Sequence, residues 1–165
     1  MGRISPVFVA AGVGIWLGAM LFLSFVLAPA AFATIESRQL AGDLVARALN
    51  ILYLSAYVLG PLLVLVRVLG RPPGRQRLWA VQVILLILMT ASTLVSREIV
   101  GTKLLELRRA MGSVMETGSR DDPRRLLFQQ WHQFSVLLML FNIAAAAAVL
   151  ALMGVEARRY VSRNE

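Results

Sequence analysis

Arg125, Gln129, His132, Ser135, Met139 and Asn142 recur at three- and four-residue intervals. At 100° of rotation per residue they fall within one arc of a single helix. The arc is polar within an otherwise apolar segment. Polar side chains in membrane helices face the bundle interior, a water-filled cavity or a partner, so this arc is the candidate site. Asn142 lies ten residues beyond His132, about 15 Å deeper along the axis. Histidine is the side chain that changes charge near neutral pH, which would suit His132 to carrying a proton. Ser135 stands one turn from it, but no carboxylate on that helix orients the imidazole, so a nucleophile–base pair is missing. The structural alternative is interhelical hydrogen bonding by Ser135 and Asn142, worth about 0.6 kcal/mol on average. From the third helix, Thr93 and Arg97 are expected to face this arc, since Thr90, Thr93, Arg97, Gly101 and Arg108 share a face at regular helical rotation.

A single His and no Cys remove thiolate sites, disulfides and Cys nucleophiles. Structural zinc usually takes four ligands, so His132 holds no metal by itself; the methionines Met20, Met89 and Met139 are the remaining soft donors. No cofactor is expected, and an enzyme is the less favoured class. A haem with His132 as axial ligand is a third reading.

These residues sit in a chain of 165 residues, 58% of them hydrophobic. Crossing a bilayer takes about 20 mostly apolar residues in a helix, and four runs meet or approach that length: about 6–33, 48–69, 78–96 and 132–154. Val83 to Met89 reads V-I-L-L-I-L-M, with no polar stripe of the kind a soluble amphipathic helix needs. The expected fold is all-α: one integral membrane domain, a four-transmembrane-helix bundle. Spans three and four continue as a helical extension, about 97–131, beyond the bilayer. The third helix should persist to Met111, gaining roughly 20 Å outside the membrane, before a loop from Gly112 to Arg120. Asp122 as N-cap with Pro123 in the first turn restarts the chain as a helix, and Ser37 is the N-cap expected ahead of span two.

Gly14 and Gly18 share a face of span one, where a neighbouring helix can approach closely. Pro29 and Pro61 are expected to bend spans one and two. Tyr53 and Tyr57 fit an interfacial belt or a pocket lining equally well, and Asn50 falls near the outer membrane edge.

The formal net charge is +8, and membrane topology accounts for it better than nucleic acid. Lys and Arg concentrate in short cytoplasmic loops. Arg67, Arg71, Arg75 and Arg77 cluster around the turn between spans two and three, where each should gain about 1 kcal/mol from anionic headgroups. With an even number of spans, both termini share that side and are placed in the cytoplasm. The first apolar run imitates a signal peptide but exceeds the 7–15 residues of such an apolar region, and Pro6 stands where myristoylation needs Ser or Thr.

The pattern W-L-G-A-M-L-F-L-S-F-V-L-A-P-A-A-F from Trp16 to Phe32, with D-P-R-R-L-L-F-Q-Q-W-H-Q-F-S-V-L-L-M-L-F-N from Asp122 to Asn142, resembles the transmembrane protein 205 family and its bacterial relatives, the domain-of-unknown-function 4149 family. The resemblance covers nearly the whole chain. It implies a four-helix membrane protein, here of a bacterial inner membrane, in a family whose animal member is associated with tolerance of platinum drugs. Matching positions are Gly18, Pro29, Phe32, Arg97, Arg108, His132, Ser135 and Asn142. The expected function is binding or translocation of a small solute or ion through the polar arc. The rival is a non-catalytic accessory subunit of a larger membrane complex or a homo-oligomer. The lipid bilayer is the expected partner in either case.

Overall fold

The computed structural model describes residues 4–71, 76–111 and 122–161, and all regular structure among them is helical. In chain order come α1 (Ile4–Phe22), a π-helical turn (Leu23–Leu27), α2 (Ala28–Thr34), α3 (Arg38–Leu69), α4 (Gln76–Val95), a second π-helical turn (Ser96–Gly101), α5 (Thr102–Met111) and α6 (Pro123–Val161). They make up four helices long and apolar enough to cross a membrane: Pro6–Thr34, Arg38–Leu69, Gln76–Met111 and Pro123–Arg158. The loop expected at 112–120 and the centre of the basic turn, with Arg75, lie outside the described residues.

Helix α1 packs on α3 and α6, and α4 packs on the same two, closing a four-helix ring. Its core is Val9, Val13, Trp16, Met20, Leu63, Leu86, Met89, Ala146 and Val149. Only 22–33% of the most apolar stretch of each span is buried inside the chain. Ile15, Val58 and Leu69 are each more than 70% exposed, an apolar exterior that a soluble monomer does not carry and that lipid covers. Backbone groups in such a setting must be satisfied within the helix, and the chain stays helical through each apolar portion.

The helix starts follow from local chemistry. Ser37 Oγ accepts from the Leu40 N–H at 3.3 Å, and Asp122 Oδ1 accepts from the Arg124 N–H at 2.8 Å, leaving Pro123 where a missing N–H costs nothing. Pro29 has a different effect from a simple bend. The turn before it widens to a π turn over Leu23–Leu27, closed by the Ala28 N–H on the Leu23 carbonyl, a local adjustment of the kind that relieves the clash of a proline ring with the preceding turn. Pro61 lies inside α3, which continues through it.

Close packing uses other glycines than the sequence pattern suggests. A Cβ on Gly14 or Gly18 would meet nothing within 4 Å, so neither packs against a helix of this chain. A Cβ on Gly60 would lie 2.5 Å from Thr90 Oγ1, and one on Gly12 would lie 2.6 Å from Leu63 Cδ2. Gly60 and Gly12 thus set the approach of α3 to α4 and of α1 to α3.

Candidate functional site

The polar interior begins at Asn142, 4% exposed in the middle of α6. Its Nδ2 donates to Ser92 Oγ of α4 and to the Leu138 carbonyl, both at 2.9 Å. Because a carbonyl can only accept, the second bond fixes the orientation of the amide. Asn142 Oδ1 is then a buried acceptor, and it receives no hydrogen bond from any described residue. Toward the extension, the Tyr53 hydroxyl lies near Ser96 of the second π turn and Ser135 of α6. Thr93, 3% exposed, donates its hydroxyl proton to the Met89 carbonyl at 2.9 Å, the back-bonding habit of threonine in helices. Trp16, Met20, Tyr53, Thr93, Ser96 and Asn142 line a cavity of about 10 Å³.

The arc read from α6 divides along its length. Asn142 is buried and Ser135 half-buried, but His132 and Gln129 are exposed and Arg125 is half-exposed at the extension. His132 stacks on Phe128 with ring centroids 6.2 Å apart, and the Arg108 guanidinium lies 5.9 Å from the Phe128 ring. The structure therefore brings Asn142 and Thr93 together, sets Ser135 partly buried toward the extension, and leaves His132 and Gln129 exposed with Arg125 partly buried beyond them.

Arg97 also departs from its expected place. It turns to α3, where Nε donates to Asn50 Oδ1 at 3.0 Å and Nη1 reaches the Tyr57 hydroxyl at 3.5 Å. The Tyr57 hydroxyl donates to Glu98 Oε1, which also pairs with Arg97. The reason is the long, flexible side chain of Arg97: a charge at the edge of an apolar bundle must be paired, and Asn50, Tyr57 and Glu98 supply the partners. Within the group the opposite charges of Arg97 and Glu98 neutralise one another.

At the basic end, Arg67 corrects the headgroup assignment. It is 1% exposed, donates from Nε to Gln82 Oε1 at 2.7 Å and pairs through Nη2 with Glu156 Oε2 at 2.7 Å. Gln82 Nε2 completes the triangle on Glu156 at 3.3 Å, and the Trp79 indole donates to the Arg67 carbonyl at 2.9 Å. Arg71 and Arg77 are exposed, with Arg71 lying 4.9 Å over the Trp79 ring. Sequence reasoning missed Ser92, Ser96, Gln82 and Glu156. The available signal was polarity recurring on the inner faces of spans three and four.

Among the described residues no group of three or more His, Cys, Asp or Glu could hold a metal ion. A family described as a domain of unknown function, DUF4149, matches residues 11–113. The chain belongs to the DUF4149 family. The matched part of this DUF4149 chain contains Tyr53, Ser92, Thr93 and Ser96, whereas Ser135 and Asn142 follow it. No curated protein and no solved structure matches the chain.

Proposed function

We propose that the bundle binds a small polar solute or ion, or passes one across the bilayer, through the interior lined by Tyr53, Thr93, Ser96, Ser135 and Asn142. One observation carries this reading: a buried amide with an unused acceptor, Asn142 Oδ1, borders a cavity inside an otherwise apolar core. Unsatisfied polar atoms inside membrane helices are costly and mark ligand or ion paths. Entry is from the extension end, where Ser135 and Tyr53 lead toward the surface. In the opposite half, Leu63, Leu86, Met89, Ala146 and Val149 form a dry layer, and the Arg67–Gln82–Glu156 cluster closes the end below it. Passage thus requires α3, α4 and α6 to part in that half.

The test is reconstitution into liposomes with a panel of small uncharged polar solutes and monovalent ions. Wild-type protein should exceed empty liposomes for at least one member of the panel, and Asn142→Leu should remove the excess. Rates equal to empty liposomes throughout would overturn the passage reading, and absence of any bound species at Asn142 would overturn the binding one. A reporter that folds only outside the cytoplasm, fused after Glu165, tests the placement of both termini inside: it should stay dark.

The second reading, an accessory subunit, draws on the open space beside Gly14 and Gly18 on the lipid-facing side of α1. A stoichiometric partner recovered in gentle detergent, and lost when both glycines are changed to leucine, would favour it.

A further inference from the structure

The cavity beside Asn142 has a size and a chemistry that together define its occupant. At about 10 Å³ it offers the space one water molecule needs and no more. Asn142 Oδ1 presents lone pairs with no described donor. Thr93 Oγ1 has spent its proton on the Met89 carbonyl, so toward the cavity it can only accept. The Ser96 and Tyr53 hydroxyls, which border the same space, can give as well as take a hydrogen bond. A species that donates twice and accepts once fits this set. No carboxylate lines the cavity, and an ion taken from water without a counter-charge incurs several kcal/mol of desolvation, so the species is neutral.

We infer that the cavity binds a single water molecule, which donates to Asn142 Oδ1 and Thr93 Oγ1. The water joins two sets of polar side chains: Tyr53 and Ser96, which border the cavity, on one side, and the hydrogen-bonded Asn142 and Ser92 on the other. Together these sets link α3, α4, the second π turn and α6 around one point of the bundle. Naming the occupant deepens the proposed function and rests on the same cavity, though not on passage across the bilayer.

Isotope-labelled protein in micelles provides the test through water–protein Overhauser contacts. Cross-peaks from water to the Asn142 side-chain amide and the Thr93 methyl should appear with opposite signs in the laboratory and rotating frames, the mark of a long-lived bound molecule. Asn142→Leu should abolish the Thr93 cross-peak while keeping the helical spectrum; if that variant does not fold, Thr93→Val should weaken the Asn142 cross-peak instead. Absence of these cross-peaks in the wild type would overturn the inference. So would saturable shifts of the Asn142 amide in sodium or ammonium chloride that choline chloride does not reproduce, because they would assign the cavity to a cation. Water cross-peaks without flux in liposomes would remove only the passage reading, and flux without cross-peaks would remove only this one.

Discussion

Arg67 on α3 and Glu156 on α6 meet at 2.7 Å across 89 positions of sequence, and the pair is enclosed, with side-chain exposures of 1% and 15%. A charge withdrawn from water to this degree is tolerable only while it is paired and hydrogen-bonded, and Gln82 bridges both partners. Glu156→Leu leaves the guanidinium without its counter-charge and is expected to destabilise the fold by about 3–5 kcal/mol. Adding Arg67→Met should recover most of that loss, because two apolar residues can replace a buried pair at little cost. Unfolding in graded denaturing detergent, followed by helical circular dichroism, measures both; equal losses in the single and the double variant would contradict the assignment.

The pair between Arg108 and Asp43 has a similar distance, 2.8 Å, but side-chain exposures of 19% and 44%. Solvent screens such a contact. Asp43→Asn is therefore expected to cost less than about 1 kcal/mol, and the loss should shrink as salt is added, in contrast to that at Glu156. The same unfolding assay at low and high ionic strength separates the two pairs.

Glycine substitutions should rank by what faces them. Gly60→Ala places a methyl carbon 2.5 Å from Thr90 Oγ1 and 3.2 Å from Thr90 Cβ, so α3 and α4 must move apart; a loss of about 1–3 kcal/mol is expected from overpacking. Gly14→Ala and Gly18→Ala meet open space and should leave the stability of the monomer within about 0.5 kcal/mol. Thermal loss of helix in mild detergent compares the three.

His132 and Asn142 occupy the same helix with opposite expectations. His132 is exposed, with Phe128 as its stacking neighbour, so His132→Ala should change stability by no more than about 0.5 kcal/mol and leave any liposome flux intact. Ser92→Ala removes the acceptor of an Asn142 hydrogen bond and should cost about 0.6 kcal/mol, rising toward 1.7 if the bond is fully dry. A flux lost in His132→Ala but kept in Asn142→Leu would move the site to the extension.

The spans were readable because apolar runs of membrane length admit few structures, and the starts of α3 and α6 because Ser37 and Asp122-Pro123 carry capping chemistry. Asn142 was readable as the deepest polar position of its arc. The exposure of His132 was not, since helical rotation tells which residues share a face but not whether a neighbour covers that face at each height. Arg67 was misassigned for a related reason. An arginine at the end of an apolar run looks the same whether it reaches outward to phosphate or inward to a carboxylate, and Glu156 lies far along the chain. Gly14 and Gly18 show that a small-residue spacing marks a possible approach, while the partner helix came to Gly12 and Gly60 instead.

The six residues Ser96–Gly101 give the third helix a surplus residue relative to regular winding. What lies on either side is thereby indexed separately: Thr93 keeps its place in the interior while Arg108 keeps its seat beside Gly42 and Asp43. Because the wide turn absorbs that surplus, deleting one position would restore ordinary winding with Thr93 and Arg108 still facing as they do, whereas rewinding the segment at its present length would swivel the distal portion by about 100° and unseat Arg108. The collar outside the bilayer and the bundle within it are thus held in mutual alignment by a single amino acid's worth of slack.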